Sequence, residues 1–224
     1  EYKFGTRMVY FKKNQEEYEM LQSSRCGMDS HTTKSLDSFL EEAKVKILEV
    51  KESDSIRFSE ITGFLNKEGL DLSSVAELGF RIPIVLKQFK DIGYKTIGFD
   101  VLESNIIVGN GLGFESKIYD FNDCKEDLYL NDFDLVVSYH MFEHLSDPQK
   151  ALNKVFKSMK IGAYFHIEVP IEPGIPNIRY CHMFPFHSRD LNFMLKDAGF
   201  SVISGTNKTH AGGPNIERYI ALKE

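Results

Sequence analysis

Little in this chain points to an oxidising compartment, a membrane or a polyanionic partner. Three cysteines, Cys26, Cys124 and Cys181, are scattered through 224 residues with no Cys-x-x-Cys pair. Such an odd, dispersed set argues against a disulfide framework and suits a reducing compartment, so a cytoplasmic location is expected. No apolar run approaches the roughly 18 to 20 residues that cross a bilayer, and the acidic, polar start lacks a signal-peptide core, so no membrane association is expected. The sequence starts at Glu1 without a methionine, as a trimmed sequence would. Basic charge is in deficit: 27 Lys and Arg against 33 Asp and Glu give a net charge of −6, which disfavours a large nucleic-acid footprint. No repeat or low-complexity segment interrupts the chain. With 42% hydrophobic and 27% charged residues it has an ordinary globular composition, enough for one core domain with a helical extension. Nothing in it signals an oligomeric state.

Two regions differ in pattern. From about residue 15 to 70 the spacing is helical. Leu36, Phe39, Leu40, Ala43, Ile47 and Val50 form one stripe, Ile56, Ile61, Phe64 and Leu65 a second, and Gly69 a stop. Residues 1–70 therefore read as a helical extension, either packed on a core or closing over a site as a lid. From residue 71 to 224 strands and helices alternate. Strands are expected at Val75–Leu78, Thr96–Phe99, Lys117–Tyr119, Leu135–Val137 and Tyr164–Val169, with a terminal antiparallel pair at Ser201–Ile203 and Ile216–Leu222 around Gly212-Gly213-Pro214. Helices follow Ile82, the Asp147-Pro148 cap, which stops at Gly162, and Ser188, which stops at Gly199. The expected fold is α/β: a Rossmann-like, doubly wound, mainly parallel seven-stranded sheet with an antiparallel terminal strand and an N-terminal helical extension.

In open α/β sheets ligands sit outside the carboxyl ends of the strands. Leu135–Val137 is a short apolar run that leads directly into Ser138, Tyr139, His140, Glu143 and His144, which places ionisable groups at such an end. A glycine turn at Glu77-Leu78-Gly79 and an acid at Gly98-Phe99-Asp100 suit a ribose, whose two hydroxyls a carboxylate at the end of the second strand can hold. Taken with Phe133-Asp134-Leu135-Val136-Val137, Glu143-His144-Leu145, Glu168-Val169-Pro170 and Ala198-Gly199-Phe200, the chain resembles the class I S-adenosylmethionine-dependent methyltransferases over roughly residues 74–204. It looks like the branch acting on small metabolites, sugars or quinone precursors.

The resemblance implies S-adenosylmethionine as cofactor and S-adenosylhomocysteine as product. It makes Glu77 and Gly79 the start of the cofactor loop and Asp100 the ribose ligand. Asp120 and Phe121 would bind adenine, and Ser138, Tyr139 and His140 would line the methionine portion and the transferred methyl. The loop departs from the family pattern, acidic-x-Gly-x-Gly-x-Gly, since it reads Glu77-Leu78-Gly79-Phe80-Arg81-Ile82-Pro83 and keeps one glycine of three. A side chain then stands where backbone approaches the cofactor. Arg81 could replace lost backbone contacts by pairing with the cofactor's carboxylate, and the alternative is a solvated surface arginine. Gly109-Asn110-Gly111-Leu112-Gly113 resembles a phosphate loop in composition but enters a strand instead of opening a helix, so it reads as a stop and turn.

Five of the seven histidines, His140, His144, His166, His182 and His187, fall within residues 140–187. A histidine of near-neutral pKa can take the proton from a hydroxyl acceptor, and His140 is the first candidate, with His182 the second. His166, inside a strand, reads as a core residue. The long loop from Ile171 to His187 reads as the acceptor wall, so Arg179, Tyr180 and His187, together with Glu143, are expected to contact a small-molecule acceptor. No metal ligand set is assigned. Alternatives are a His-x-x-Glu-His metallopeptidase helix at His140–His144, a looser metal-dependent enzyme built on His140, His144, His182, Glu168 or His187, and a binding module that keeps the fold without catalysis. The expected activity is methyl transfer to oxygen on a small metabolite or a sugar or phosphorylated sugar derivative.

Overall fold

The computed structural model describes residues 36–172, 182–209 and 215–224. Two helices, α1 (Leu36–Lys46) and α2 (Glu52–Lys67), precede the first strand. Then follow β1 (Ser74–Leu78), α3 (Ile84–Asp91), β2 (Lys95–Asp100), α4 (Glu103–Gly111), β3 (Ser116–Ile118) and β4 (Leu135–Tyr139). A single 3-10 turn at Phe142–His144 leads to α5 (Pro148–Ser158), β5 (Tyr164–Ile171), α6 (Asp190–Ala198), β6 (Ser201–Thr209) and β7 (Asn215–Leu222). The seven strands lie in the order β3-β2-β1-β4-β5-β7-β6, parallel except that β7 runs antiparallel to both β5 and β6.

Strand pleating sorts the core into two layers. Ala76, Leu78, Val136, Phe165 and Ile167 face α5 and α6 through Leu152, Val155, Leu191 and Leu195. Val75, Leu135 and Val137 face the other way, onto Ile61 and Leu65 of α2 and Val85, Leu86 and Phe89 of α3. Each such buried side chain contributes roughly 1.5–3 kcal/mol, so α2 is held by its apolar stripe in the way the spacing predicts. Helix α1 packs instead through Phe39 and Ala43 on Val108 of α4.

The local signals work where the chemistry is explicit. Asp147 caps α5 by accepting from the Lys150 N–H at 3.0 Å, with Pro148 at the first helical position. Gly199 ends α6 in the left-handed conformation at φ 106°. Two expectations need correction. Ser188 does not cap α6: Arg189 occupies that position at φ 74°, and the Ser188 hydroxyl donates instead to Glu217. Strand β3 covers Ser116–Ile118, one residue earlier than its apolar pattern suggests. The Gly109–Gly113 run is the stop and turn that its glycines suggest: α4 ends at Gly111, Gly113 turns at φ 82°, and β3 follows at Ser116. The Gly212-Gly213 turn lies outside the described residues.

Candidate active site

Strands β1 and β4 are central neighbours whose crossovers run to opposite sides, so their carboxyl ends form the switch point where open sheets bind ligands. The loop after β1 is held from both sides. Gly79 has φ 75° and donates its N–H to the Phe99 carbonyl at 2.7 Å, and a Cβ there would lie 2.5 Å from Met141 Cγ. Two residues on, Arg81 stands at φ 45°, so the chain keeps a left-handed turn where the family pattern has its second glycine. A non-glycine residue in that region costs of order 1–3 kcal/mol and persists only when its surroundings impose it. Asp100 is what imposes it. Its Oδ2 accepts the Arg81 N–H at 3.1 Å and its Oδ1 the Leu102 N–H at 2.9 Å. Burial raises the Asp100 pKa against these same bonds.

The Asn105 side chain and the Val101 N–H also hold the Asp100 carboxylate, which fixes its orientation at the end of β2, where a ribose diol would donate to it. Phe80 turns inward, its ring packed on Gly98 and Gly109, while Arg81 points to the exposed side. Backbone conformation, the carboxylate and the exposed guanidinium thus fit an S-adenosyl group despite the two missing glycines. Glu77 faces the opposite way, into the α2 and α3 layer, where its carboxyl meets the Leu86 N–H in the first turn of α3. Burial and the neighbouring Asp54 push its pKa up to about 8.

At the end of β3, Asp120 is exposed and its Oδ1 accepts the Asn122 N–H at 2.8 Å. Phe121 is buried, edge to face with Tyr119 at 4.7 Å. The Ser138 hydroxyl, fully buried, donates to the Leu78 carbonyl at 3.1 Å, and Tyr139 Oη pairs with His166 Nδ1 at 2.8 Å. These two hydroxyls are therefore engaged inside the sheet, and what Ser138 and Tyr139 present to a ligand is backbone and shape. His166 is in the core as expected, held neutral with its pKa down at about 3 by burial and by Arg218.

His140 sits at φ 54° between two carboxylates, with Nδ1 3.2 Å from Glu143 Oε1 and Nε2 2.9 Å from Glu168 Oε1. Burial opposes its charge, but the bonds to Glu143 and Glu168 outweigh this and hold its pKa up at about 9. At neutral pH it is an imidazolium with both N–H groups donated, whereas a general base needs a free lone pair. Its partner Glu168 is fully buried and also takes both Arg57, through Nε at 3.0 Å, and Arg218, through Nε at 2.7 Å. Asp54 and Glu60 complete the cluster, on Arg57 at 2.9 Å and on Arg218 at 2.5 Å. Burial opposes the Glu168 charge, yet His140 and the two guanidiniums hold its pKa well below the carboxylate range.

Next to this clamp, Glu143, His144 and His182 bring one nitrogen or oxygen each within 4.8 Å of one another. The His144 and His182 rings meet edge to face at 5.0 Å, and His182 Nδ1 bonds Glu172 Oε1 at 2.8 Å. Burial lowers the His182 pKa despite Glu143 and Glu172, leaving it neutral with Nε2 as its unprotonated nitrogen. His140–His144 do not form a metallopeptidase helix, because the segment is a 3-10 turn entered through the left-handed His140. His187 lies at the start of α6, its N–H donated to Asp190 Oδ2 at 2.9 Å. Arg179 and Tyr180 lie outside the described residues.

Sequence reasoning missed the charged clamp. Its only trace was two arginines set among apolar neighbours, Arg57 in the α2 stripe and Arg218 in β7, both buried.

A family model described as a methyltransferase domain matches residues 53–205, well over half of the chain. A probable S-adenosylmethionine-dependent methyltransferase of Mycolicibacterium smegmatis is 29% identical over 85 residues, 36% of this chain. The chain spans only about a third (33%) of that relative's length. Among solved structures, a Pyrococcus horikoshii protein superposes with a TM-score of 0.61 at 14% identity, covering 78% of this chain and 92% of its own. The cyclase SpnF gives 0.60 at 12% identity, covering 74% and 80%. These two likenesses are of fold, and SpnF shows that the fold serves other chemistry. With the match over residues 53–205 set beside the loop and carboxylate at the switch point, the chain belongs to the methyltransferase-domain family, whose methyl donor is S-adenosylmethionine.

Proposed function

We propose that this protein transfers the methyl group of S-adenosylmethionine to an oxygen of a small metabolite or sugar derivative in a reducing, cytoplasmic compartment. The observation that carries the reading is the left-handed Arg81 turn pinned on Asp100 at the β1–β4 switch point. S-adenosylmethionine, when bound, supplies a methyl group activated by its sulfonium. In this reading Asp100 accepts from the ribose hydroxyls, Arg81 pairs with the amino-acid carboxylate, and Asp120 and Phe121 border the adenine. His182, neutral and tied through Nδ1 to Glu172, receives the acceptor's hydroxyl proton on Nε2, and Glu172 stabilises the imidazolium that results. His140, already a cation, holds the end of β4 to β5 and anchors Glu143. Positioning supplies much of the remaining rate, because a sulfonium needs little further activation. The net charge of −6 supports a small acceptor over a nucleic acid.

The test is incubation with S-adenosylmethionine carrying a deuterated methyl and a panel of hydroxylated metabolites, sugars and sugar phosphates, read by mass spectrometry. The expected result is a labelled O-methyl ether with a matching yield of S-adenosylhomocysteine, reduced about a hundredfold or more in His182→Ala. Label on nitrogen or carbon, or yields unchanged by that substitution, would reject the assignment.

A further inference from the structure

We propose that Glu143, His144 and His182 form a binding site for one divalent first-row transition-metal ion, with Glu172 as its outer brace. The three contribute one ligand-capable atom each, all within 4.8 Å. Two imidazoles and one carboxylate make up a donor set of three-ligand metal centres, and it suits zinc, manganese, cobalt or iron(II) better than calcium or magnesium. Metal-bound imidazoles are commonly oriented by a carboxylate on the other ring nitrogen. Glu172 stands in that place, its Oε1 2.8 Å from His182 Nδ1, so His182 presents Nε2 as a lone pair.

Glu143 supplies an independent sign. Its side chain is only 2% exposed, its Oε1 takes His140 at 3.2 Å, and its Oε2 accepts no hydrogen bond among the described residues. A buried carboxylate oxygen without a donor is costly, and a cation resolves it. Metal–ligand bonds of about 2.0–2.2 Å set neighbouring ligand atoms roughly 3.3 Å apart, so the cluster must draw in slightly on binding. His144, 36% exposed, is the member at the open side of the cluster. Three protein ligands leave coordination positions open to oxygen. That an acceptor oxygen fills one of them rests on the methyl-transfer reading; the ion site itself does not. A metal-bound His182 has no lone pair for a proton, so with the ion seated the metal would lower the pKa of the bound hydroxyl and its proton would pass to solvent water.

Chelator-stripped full-length protein is titrated with Zn2+ by calorimetry and with Mn2+ by electron paramagnetic resonance, in parallel with S-adenosylmethionine. One equivalent should bind with micromolar or tighter Kd. Affinity should fall tenfold or more in His144→Ala and by 10- to 100-fold in Glu172→Gln, each variant keeping the wild-type circular dichroism spectrum. Wild-type affinity no tighter than that of a folded His144→Ala/His182→Ala variant overturns the site. Metal binding without S-adenosylmethionine binding would keep the site and reject the methyl-transfer reading.

Discussion

Glu168→Gln is the substitution whose cost the structure defines best. The carboxylate is fully buried and gathers Arg57, Arg218 and His140, so neutralising it leaves three cations around one amide. Breaking a buried ion pair by removing one partner costs about 3–5 kcal/mol. Each of the three cations keeps a second carboxylate of its own, Asp54 at 2.9 Å from Arg57, Glu60 at 2.5 Å from Arg218 and Glu143 at 3.2 Å from His140, which places the expected loss near the lower bound, about 3 kcal/mol. For a chain of this size that corresponds to a fall in Tm of roughly 6–12 °C. Urea unfolding followed by circular dichroism gives the free energy directly, with an unchanged m-value marking a pure stability effect. Arg218→Met, alone and combined with Glu168→Gln, closes a double-mutant cycle whose coupling should be about 1 kcal/mol or more. A loss below about 1 kcal/mol for Glu168→Gln would refute the claim that this cluster ties α2 and β7 to the site.

Other outcomes follow from the same geometry. Glu77 is raised to about 8 from 4.5, so the folded state holds a proton the unfolded chain has released, and stability should decline as pH rises across that interval. Glu77→Gln should flatten the decline and gain on wild type at pH 8 relative to pH 5, as urea midpoints at both would report; parallel profiles would contradict it. His140 is raised to about 9 from 6.5, so its contribution should be complete below about 6.5 and be lost as pH rises through about 9. In His140→Gln the loss of stability between pH 7 and pH 10 should be shallower than in wild type, and an identical loss would count against the clamp. Arg81→Ala should weaken S-adenosylmethionine binding about tenfold if a charge-assisted bond is lost, whereas unchanged affinity would assign Arg81 to the solvent.

The layout of β-α units was legible because strand periodicity, Asp147-Pro148 and Gly199 each carry a local physical signal. Right-handed crossovers turn those units into a mainly parallel sheet with helices on both faces, but the strand order comes from the structure alone. The site was legible in part. Gly79 and Asp100 could be read as a pair from their spacing, but the bond from Arg81 N–H to Asp100 depends on a φ of 45° that no side-chain pattern discloses. His140 reads as a base from its place at a strand end. Its protonation is decided by two carboxylates, Glu143 three residues on and Glu168, which lies 28 residues away in the chain and is adjacent only through the β4–β5 pairing. Arg57 and Arg218 come from α2 and β7 to one carboxylate, a meeting that local sequence cannot show. Ser188 has the residue type of a cap, yet Glu217, reached across the fold, draws its hydroxyl away.

The central claim is that the Arg81 turn and Asp100 hold S-adenosylmethionine. The most direct test is calorimetric titration of the purified protein with S-adenosylmethionine and S-adenosylhomocysteine, with NAD as control, in wild type and in Asp100→Asn, with folding checked by circular dichroism. The account predicts micromolar binding of both sulfur ligands, none of NAD, and at least a tenfold loss in the variant. Absence of binding, or equal affinity in folded Asp100→Asn, would contradict it.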